Sequence, residues 1–256
     1  MIKSNQPMIR MEHIKNTMKK VGLQLFSLRE ISKNEGLRET LKTAAELGYN
    51  GVEFAGYFGL TIDEIKEELK KNNLEVCGAH IGYAELFDNY EAAVAGLKEL
   101  GAYCVCVPHA KFETAAEWAD FGKKLDELGK RLSADGLLFG YHNHAHEFVE
   151  YDGRRAIDII LENSEPENVF FEFDTRHCAI AKENPVTVAM QYSGRIPVLH
   201  ARDTDMTSDC AVGSGVVDFK SVDTEANGIN WFVVEYDGPN TFEDLRKSAE
   251  FLKTLC

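Results

Sequence analysis

The chain has little positive charge for its size. Its 256 residues include 28 Lys and Arg against 42 Asp and Glu, which gives a formal net charge of −14 at pH 7. Nucleic acids and anionic membranes are bound by basic surfaces, so this balance argues against both as partners. A small anionic substrate stays compatible with it, because a few local cations are enough to bind one.

Long apolar segments are also absent. No run of about eighteen apolar residues occurs, so we expect no transmembrane helix. Residues 1–20 carry charge but lack the apolar stretch of a secretory signal. We therefore expect a cytoplasmic protein whose six cysteines are free thiols, with Cys104 and Cys106 packed in the core.

A glycine-rich turn for binding a dinucleotide is missing as well. An open doubly wound sheet of that type normally carries such a turn directly after a strand. The nearest feature, Gly213-Ser214-Gly215, does not match it. This segment could offer backbone amides to an anion or could be a flexible loop, and the sequence leaves both alternatives open.

After residue 19 the chain alternates short apolar runs with amphipathic helical segments. The eight runs that we predict as strands are residues 21–26, 51–54, 74–80, 102–109, 137–144, 169–174, 196–201 and 231–237. Apolar strands without strict alternation suit a parallel sheet that helices cover on both faces. With this length, the pattern predicts the α/β class and one (β/α)8 TIM barrel over residues 20–256, after an N-terminal arm at residues 1–19.

Histidines and acids are concentrated where the predicted strands end. Seven of the eight histidines lie there, namely His80, His109, His142, His144, His146, His177 and His200. Glu147, Asp174 and Glu235 take equivalent positions. A closed parallel barrel gathers its strand ends on one face, so residues far apart in sequence would meet there.

The segment FEFDTRH (171–177) has the clearest pattern. Glu172 and Asp174 alternate with phenylalanines, so both acids point to one side of a buried strand. Such a pair is costly unless a cation or a donor meets it. In an alternative interpretation, Asp174 is a helix N-cap that precedes a surface His177.

Glu147, Asp174, His200 and Glu235 together predict a metal site. Three carboxylates with one imidazole suit Mn²⁺ best, with Mg²⁺, Co²⁺ or Zn²⁺ as alternatives. Such a cation polarises a carbonyl and acidifies the neighbouring C–H. Two carboxylates, Glu147 and Glu235, could then remove and return the proton.

These motifs resemble the sugar phosphate isomerase/epimerase superfamily, the xylose-isomerase-like TIM barrels. The similarity covers nearly the whole chain after residue 19. It is carried by QLFSLRE (24–30), GYNGVEFAG (48–56), YHNHAHEF (141–148), FEFDTRH (171–177), LHARDTD (199–205), VGSGVVDF (212–219) and VVEYD (233–237).

The resemblance implies a metal set of Glu, Asp, His and Glu, which matches Asp174, His200 and Glu235. For the fifth strand it favours Glu147, while His142 or His144 are alternatives because no acid stands at the strand end itself. It also implies substrate-binding residues, among them Arg202 as a cation for an enediolate oxygen. Glu53, His80 and His109 end earlier strands and are expected to line the pocket, so the full substrate-binding set is His177, Arg202, His80, His109, His142 and Glu53.

The function that the resemblance implies is proton transfer between carbons of a sugar or keto-sugar through an enediolate. Dehydration of a keto-polyol, as for an inosose, is the alternative on the same site, and a non-catalytic sugar-binding protein is the alternative of another class. Each of these functions is compatible with a homo-oligomer. An abasic-site endonuclease is disfavoured, because residues 209–218 lack the histidine that its metal motif requires.

Overall fold

Eight parallel strands form the barrel in the computed structural model, which describes residues 18–57, 59–239 and 241–256. The strands are β1 (Lys20–Gln24), β2 (Gly51–Phe54), β3 (Glu75–Ala79), β4 (Cys104–Val107), β5 (Leu138–His142), β6 (Phe170–Asp174), β7 (Val198–Ala201) and β8 (Trp231–Val234). Their order is β3-β2-β1-β8-β7-β6-β5-β4. A parallel bridge between His80 and Cys106 joins the two outer strands of this order. The predicted single α/β barrel is confirmed.

Helices cover the outside of the barrel and connect successive strands. They are α1 (Arg29–Asn34), α2 (Leu37–Glu46), α3 (Ile62–Asn72), α4 (Tyr83–Asp88), α5 (Tyr90–Glu99), α6 (Ala115–Ala134), α7 (Ala156–Glu162), α8 (Thr175–Ile180), α9 (Pro185–Gln191), α10 (Phe219–Ala226) and α11 (Thr241–Lys253). No helix in the described part of the chain is both long and apolar enough to cross a membrane. The predicted arm at residues 1–19 lies, apart from its last two residues, outside the described ranges.

Several strands end earlier than the apolar pattern predicts. The first run stops at Gln24, whose side-chain oxygen accepts a hydrogen bond from the Phe26 amide and starts a 3-10 turn at Leu25–Leu28. The run at 137–144 ends at His142, and a second 3-10 turn, Ala145–Phe148, follows. Many of the polar residues that were predicted at strand ends therefore lie in the first turn of the following loop, at the carboxyl-terminal mouth of the barrel.

The floor of the barrel interior, near the starts of the strands, is apolar and tightly filled. Its cluster of buried side chains comprises Cys77, Cys104, Cys106, Phe170, Val198, Trp231 and Val233. All six cysteines of the chain are free thiols. Glycines on the strands make room for the largest rings: a Cβ on Gly140 would lie 2.6 Å from the Phe170 ring, and one on Gly51 would lie 2.9 Å from Trp231.

Gly140→Ala is expected to destabilise the barrel by about 1–3 kcal/mol, the usual cost of overpacking a core, because the added methyl group would collide with the buried Phe170 ring. Gly96→Ala is the matched control. It lies in α5, where alanine is the better helix former and only the flexible end of Ile62 is near, at 3.3 Å. Urea unfolding midpoints measure both. Equal midpoints for the two variants would contradict this packing.

Candidate active site

Four potential ligands meet where neighbouring strands β5, β6, β7 and β8 open at the mouth. They are His142, Asp174, His200 and Glu235, called the mouth cluster below. One ligand atom from each lies within 4.8 Å of those of the others. Asp174 and His200 are register partners across β6 and β7. Strand order and register alone thus bring together residues that are up to 93 positions apart in sequence (235 minus 142).

The chemistry of the mouth cluster fits a divalent cation. Asp174 is completely buried, and its Oδ1 accepts a hydrogen bond from the His177 amide at 2.7 Å. Its Oδ2 has no hydrogen-bond partner among the described residues and lies 3.6 Å from Arg202 Nη1. Buried polar atoms are rarely left unpaired, so a missing partner is indicated here. Asp174 is therefore the N-cap of α8 through one oxygen and a candidate ligand through the other.

Glu147, predicted as a ligand and as a base, is not brought to the mouth cluster. The 3-10 turn after β5 directs its carboxylate towards the helix layer, where Oε1 accepts from the Tyr141 hydroxyl at 2.6 Å. Oε2 accepts from the His144 amide at 2.8 Å. Tyr141 and His142 point to opposite faces of β5, so His142, kept as an alternative in the sequence analysis, takes the place at the mouth.

Arg202 links the mouth cluster to the loop after β7. Its guanidinium donates to Glu235 at 3.1 Å and to Asp209 at 2.8 Å, and only 5% of the residue is exposed. Burial acts to raise the pKa of Glu235, but Arg202 and His200 outweigh it and hold that pKa well below its usual range. Glu235 is therefore an ionised carboxylate at neutral pH.

A cleft of about 430 Å³ opens beside the cluster, which is the size of a small-molecule site. Glu235, Arg202, His177, His144 and Arg176 are among its lining residues. Burial, and then the charge of Arg202, lowers the pKa of His177 to about 3, so its imidazole is neutral. His177 thus lies in the cleft and is not the surface residue of the alternative interpretation.

Below the mouth lies a buried inner network that consists of Gln24, Glu53, His80 and Glu172. His80 Nε2 lies 2.7 Å from Glu172 and 3.2 Å from Glu53, and Gln24 donates to Glu53 at 2.7 Å. Glu53 is completely buried and does not line the cleft. Glu172 is absent from the predicted site, although its alternation with Asp174 already put it on the same face of the strand.

The inner network orients His200. Glu53 Oε2 lies 2.7 Å from His200 Nε2, while His200 Nδ1 lies 3.3 Å from Glu235 at the mouth. A carboxylate that holds the second nitrogen of a histidine is the usual support of a metal ligand. Burial lowers the pKa of His200, but Glu172 and Glu53 outweigh it and raise that pKa well above its usual range. A cation that binds His200 must therefore displace a proton.

Three further histidines form a second group at the rim of the barrel, outside the mouth cluster. His109 follows β4, and His144 and His146 follow β5; one ligand atom from each lies within 4.8 Å of the other two. His109 is exposed and is not among the residues that line the cleft. These three residues are called the rim histidines below.

The glycine segment Gly213–Gly215 is already bound to an anion of the protein itself. The amides of Gly213 and Gly215 donate to one oxygen of buried Asp203 at 3.0 and 2.9 Å, and the Val217 amide donates to the other at 3.1 Å. These amides are therefore not available to a phosphate group of a substrate in this arrangement.

Comparison with known proteins agrees with the geometry of the barrel. The sequence model of the family described as xylose isomerase-like TIM barrel matches residues 41–255. Inosose dehydratase of Salmonella typhimurium is 24% identical over 260 aligned positions, which cover 84% of this chain and 86% of that protein. Inosose dehydratase of Clostridium beijerinckii is 22% identical over an alignment that covers 96% of this chain and 98% of that protein.

Solved structures share the fold. A sugar phosphate isomerase/epimerase from Parabacteroides distasonis superposes with a TM-score of 0.80 at 22% identity, covering 92% of this chain and 98% of that one. The IolI protein with a bound zinc atom superposes with a TM-score of 0.73 at 15% identity, covering 92% of this chain and 97% of that one. L-Ribulose 3-epimerase superposes with a TM-score of 0.72 at 14% identity, covering 93% of this chain and 94% of that one.

Glu53→Gln is expected to weaken binding of Mn²⁺ or Zn²⁺ about 10- to 100-fold, because the amide keeps the shape but no longer holds His200 as a carboxylate does. Glu75→Gln, an exposed acid at the start of β3, is the control and should leave the affinity unchanged. Calorimetric titration of the metal-free protein measures the affinities. Wild-type affinity in a folded Glu53→Gln variant would rule out this support.

Proposed function

Since the chain belongs to the xylose isomerase-like TIM barrel family, we propose that it is a divalent-metal-dependent enzyme that moves a proton between carbons of a sugar or keto-sugar. The observation that carries this proposal is the mouth cluster, in which His142, Asp174, His200 and Glu235 converge beside a cleft of small-molecule size. Epimerases and isomerases of the same fold, such as L-ribulose 3-epimerase, support the reaction class.

The metal would be held by the four residues of the mouth cluster. A divalent cation there would polarise a substrate carbonyl and acidify the adjacent C–H. Two carboxylates and two imidazoles form a set that Mn²⁺, Co²⁺ and Zn²⁺ all accept, whereas Mg²⁺ prefers oxygen ligands alone. The structure of IolI with a zinc atom supports a metal in this fold, and Mn²⁺ stays our prediction for the first ion to test.

Glu235 is assigned the proton abstraction. It is the ionised carboxylate that lines the cleft beside the cluster, and its pKa is held low by Arg202 and His200 against the effect of burial. Arg202 is anchored at its other nitrogen by Asp209, so its position is fixed while it binds a substrate oxygen on which negative charge develops.

His177, and not Glu147, is the second polar group that we place against the substrate in the cleft. Its ring lines the cleft, its Nδ1 is buried without a partner among the described residues, and its low pKa leaves the imidazole neutral. A neutral imidazole has one donor and one acceptor nitrogen, so it can donate a hydrogen bond to a substrate hydroxyl or accept one from it, whereas a pKa of about 3 makes it a weak base at neutral pH. Arg202 Nη1 lies 3.5 Å from His177 Nε2, which places both groups at the same wall of the cleft.

Dehydration of a keto-polyol is the second candidate, and the curated inosose dehydratases that match most of the chain favour it. The first step is the same abstraction of a proton next to a carbonyl. The reactions differ in the next step: an epimerase or isomerase returns the proton to carbon, whereas a dehydratase expels a hydroxyl group from the β-carbon as water.

The test is incubation of the protein with Mn²⁺ in deuterated water, with a panel of keto-hexoses, keto-pentoses and inososes. Glu235→Gln is expected to lower the rate of C–H exchange at least about 100-fold, the scale of losing a general base. Glu243→Gln, an exposed acid paired with Lys247, is the control. Proton NMR and mass spectrometry measure exchange and loss of water.

The outcomes separate the candidates. A product that is an isomer of the substrate and carries deuterium on carbon identifies an isomerase or epimerase. A product that has lost water identifies a dehydratase. Sugar binding without either change would support a binding protein and contradict the proposal. Undiminished exchange in Glu235→Gln would assign the base to another residue.

A further inference from the structure

We propose that the rim histidines, His109, His144 and His146, form a second divalent-cation site of the three-imidazole type. This site is separate from the mouth cluster and goes beyond the proposed function. Three imidazoles with one open position are the ligand set of many zinc sites, and Co²⁺ is the ion that reports on the same geometry.

Two neighbouring strands position the three rings. Their centroids are 5.5 Å apart for His109 and His144, 5.0 Å for His109 and His146, and 5.8 Å for His144 and His146. The nitrogens bound to a zinc ion are about 3.4 Å apart, as Zn–N bonds of about 2.0–2.1 Å in a tetrahedron require. The ligand atoms of the rim histidines lie within 4.8 Å of one another, so shifts on the order of 1 Å would bring them to this spacing.

His146 carries the hydrogen-bond pattern of a supported ligand. Its Nε2 lies 2.8 Å from the carbonyl oxygen of Ala110, and since a carbonyl can only accept, Nε2 must carry the hydrogen. The lone pair on Nδ1 of that ring is then available for a metal. Metal-binding histidines usually donate their other N–H to a backbone carbonyl or a carboxylate.

Glu147 supplies a second support of the same kind. Its Oε1 lies 3.1 Å from His146 Nε2, and its two oxygens are fixed by the Tyr141 hydroxyl and the His144 amide. A completely buried carboxylate therefore contacts both loop histidines that follow β5. Glu147, which the sequence suggests as a ligand of the mouth cluster, is in this interpretation a positioning residue of the rim site.

His144 provides the independent sign of a missing ligand. Its Nδ1 is buried and has no hydrogen-bond partner among the described residues. A cation would satisfy this atom. The His144 ring also lies 4.7 Å from the His177 ring and lines the cleft, so an ion held by the rim histidines would lie at the edge of the cleft.

The two sites share no ligand, so substitutions can separate them. The metal-stripped protein is titrated with Co²⁺, while visible absorption and elemental analysis report geometry and stoichiometry. We expect the wild-type protein to bind two equivalents of Co²⁺. Asp174→Asn should no longer bind Co²⁺ at the mouth cluster, but should keep one Co²⁺ at the rim histidines, with the intense absorption of tetrahedral Co²⁺. His109→Ala should lose this tetrahedral Co²⁺ and keep the ion at the mouth cluster.

The double variant with both Asp174→Asn and His109→Ala should bind no Co²⁺ at either site. In Asp174→Asn, a tenfold excess of Zn²⁺ should displace Co²⁺ and so remove the tetrahedral absorption. Glu243→Gln, an exposed acid away from both clusters, is the control and should leave both equivalents of Co²⁺ in place. A wild type that binds one equivalent, with none in Asp174→Asn, would overturn the rim site. So would a second equivalent that survives His109→Ala. Two equivalents in Asp174→Asn would contradict the proposed function and leave the rim site standing.

Discussion

His200 lies between two carboxylates, and the rest of the site depends on this arrangement. Glu53 holds one ring nitrogen at 2.7 Å from inside the barrel, and Glu235 lies 3.3 Å from the other at the mouth. Glu53 and His200 are completely buried, and an unpaired carboxylate at such a position costs several kcal/mol. The imidazoles of His80 and His200 offset that cost for the two buried acids of the inner network, Glu53 and Glu172.

Such a buried network is a poor way to stabilise a fold, since apolar side chains of similar volume often serve as well or better. Its value here lies in geometry. The apolar layer of cysteines, valines and aromatic rings below it fills the barrel, and the inner network then fixes the direction of the ligands above. The residues that face the cleft are in turn held by neighbouring side chains, as Asp209, which also lines the cleft, holds Arg202.

The sequence predicts the barrel well because eight apolar runs with polar ends have few other ways to fold. It also predicts that Asp174, His200 and Glu235 lie together, since each stands at or just after a strand end and the three strands are neighbours. Alternation along a strand tells which side a residue faces but not its depth. Glu53 was therefore expected at the pocket, whereas it lies under His200 in the inner network.

Residues in the loops could not be placed from the pattern alone. The position of Glu147 depends on a 3-10 turn and on the Tyr141 hydroxyl, and both are tertiary features. For Gly213–Gly215 the alternative in which backbone amides meet an anion describes the outcome, but the anion is Asp203 of the chain itself, which lies about ten residues earlier and could not be identified from the pattern.

The most direct measurement of the central claim is an anomalous difference map from crystals of the metal-stripped protein soaked in Mn²⁺. We expect a peak within bonding distance of His142, Asp174, His200 and Glu235, with Glu53 still bound to the far side of His200. No peak among these four residues at saturating Mn²⁺, or an ion coordinated by Glu147 in place of His142, would contradict the account.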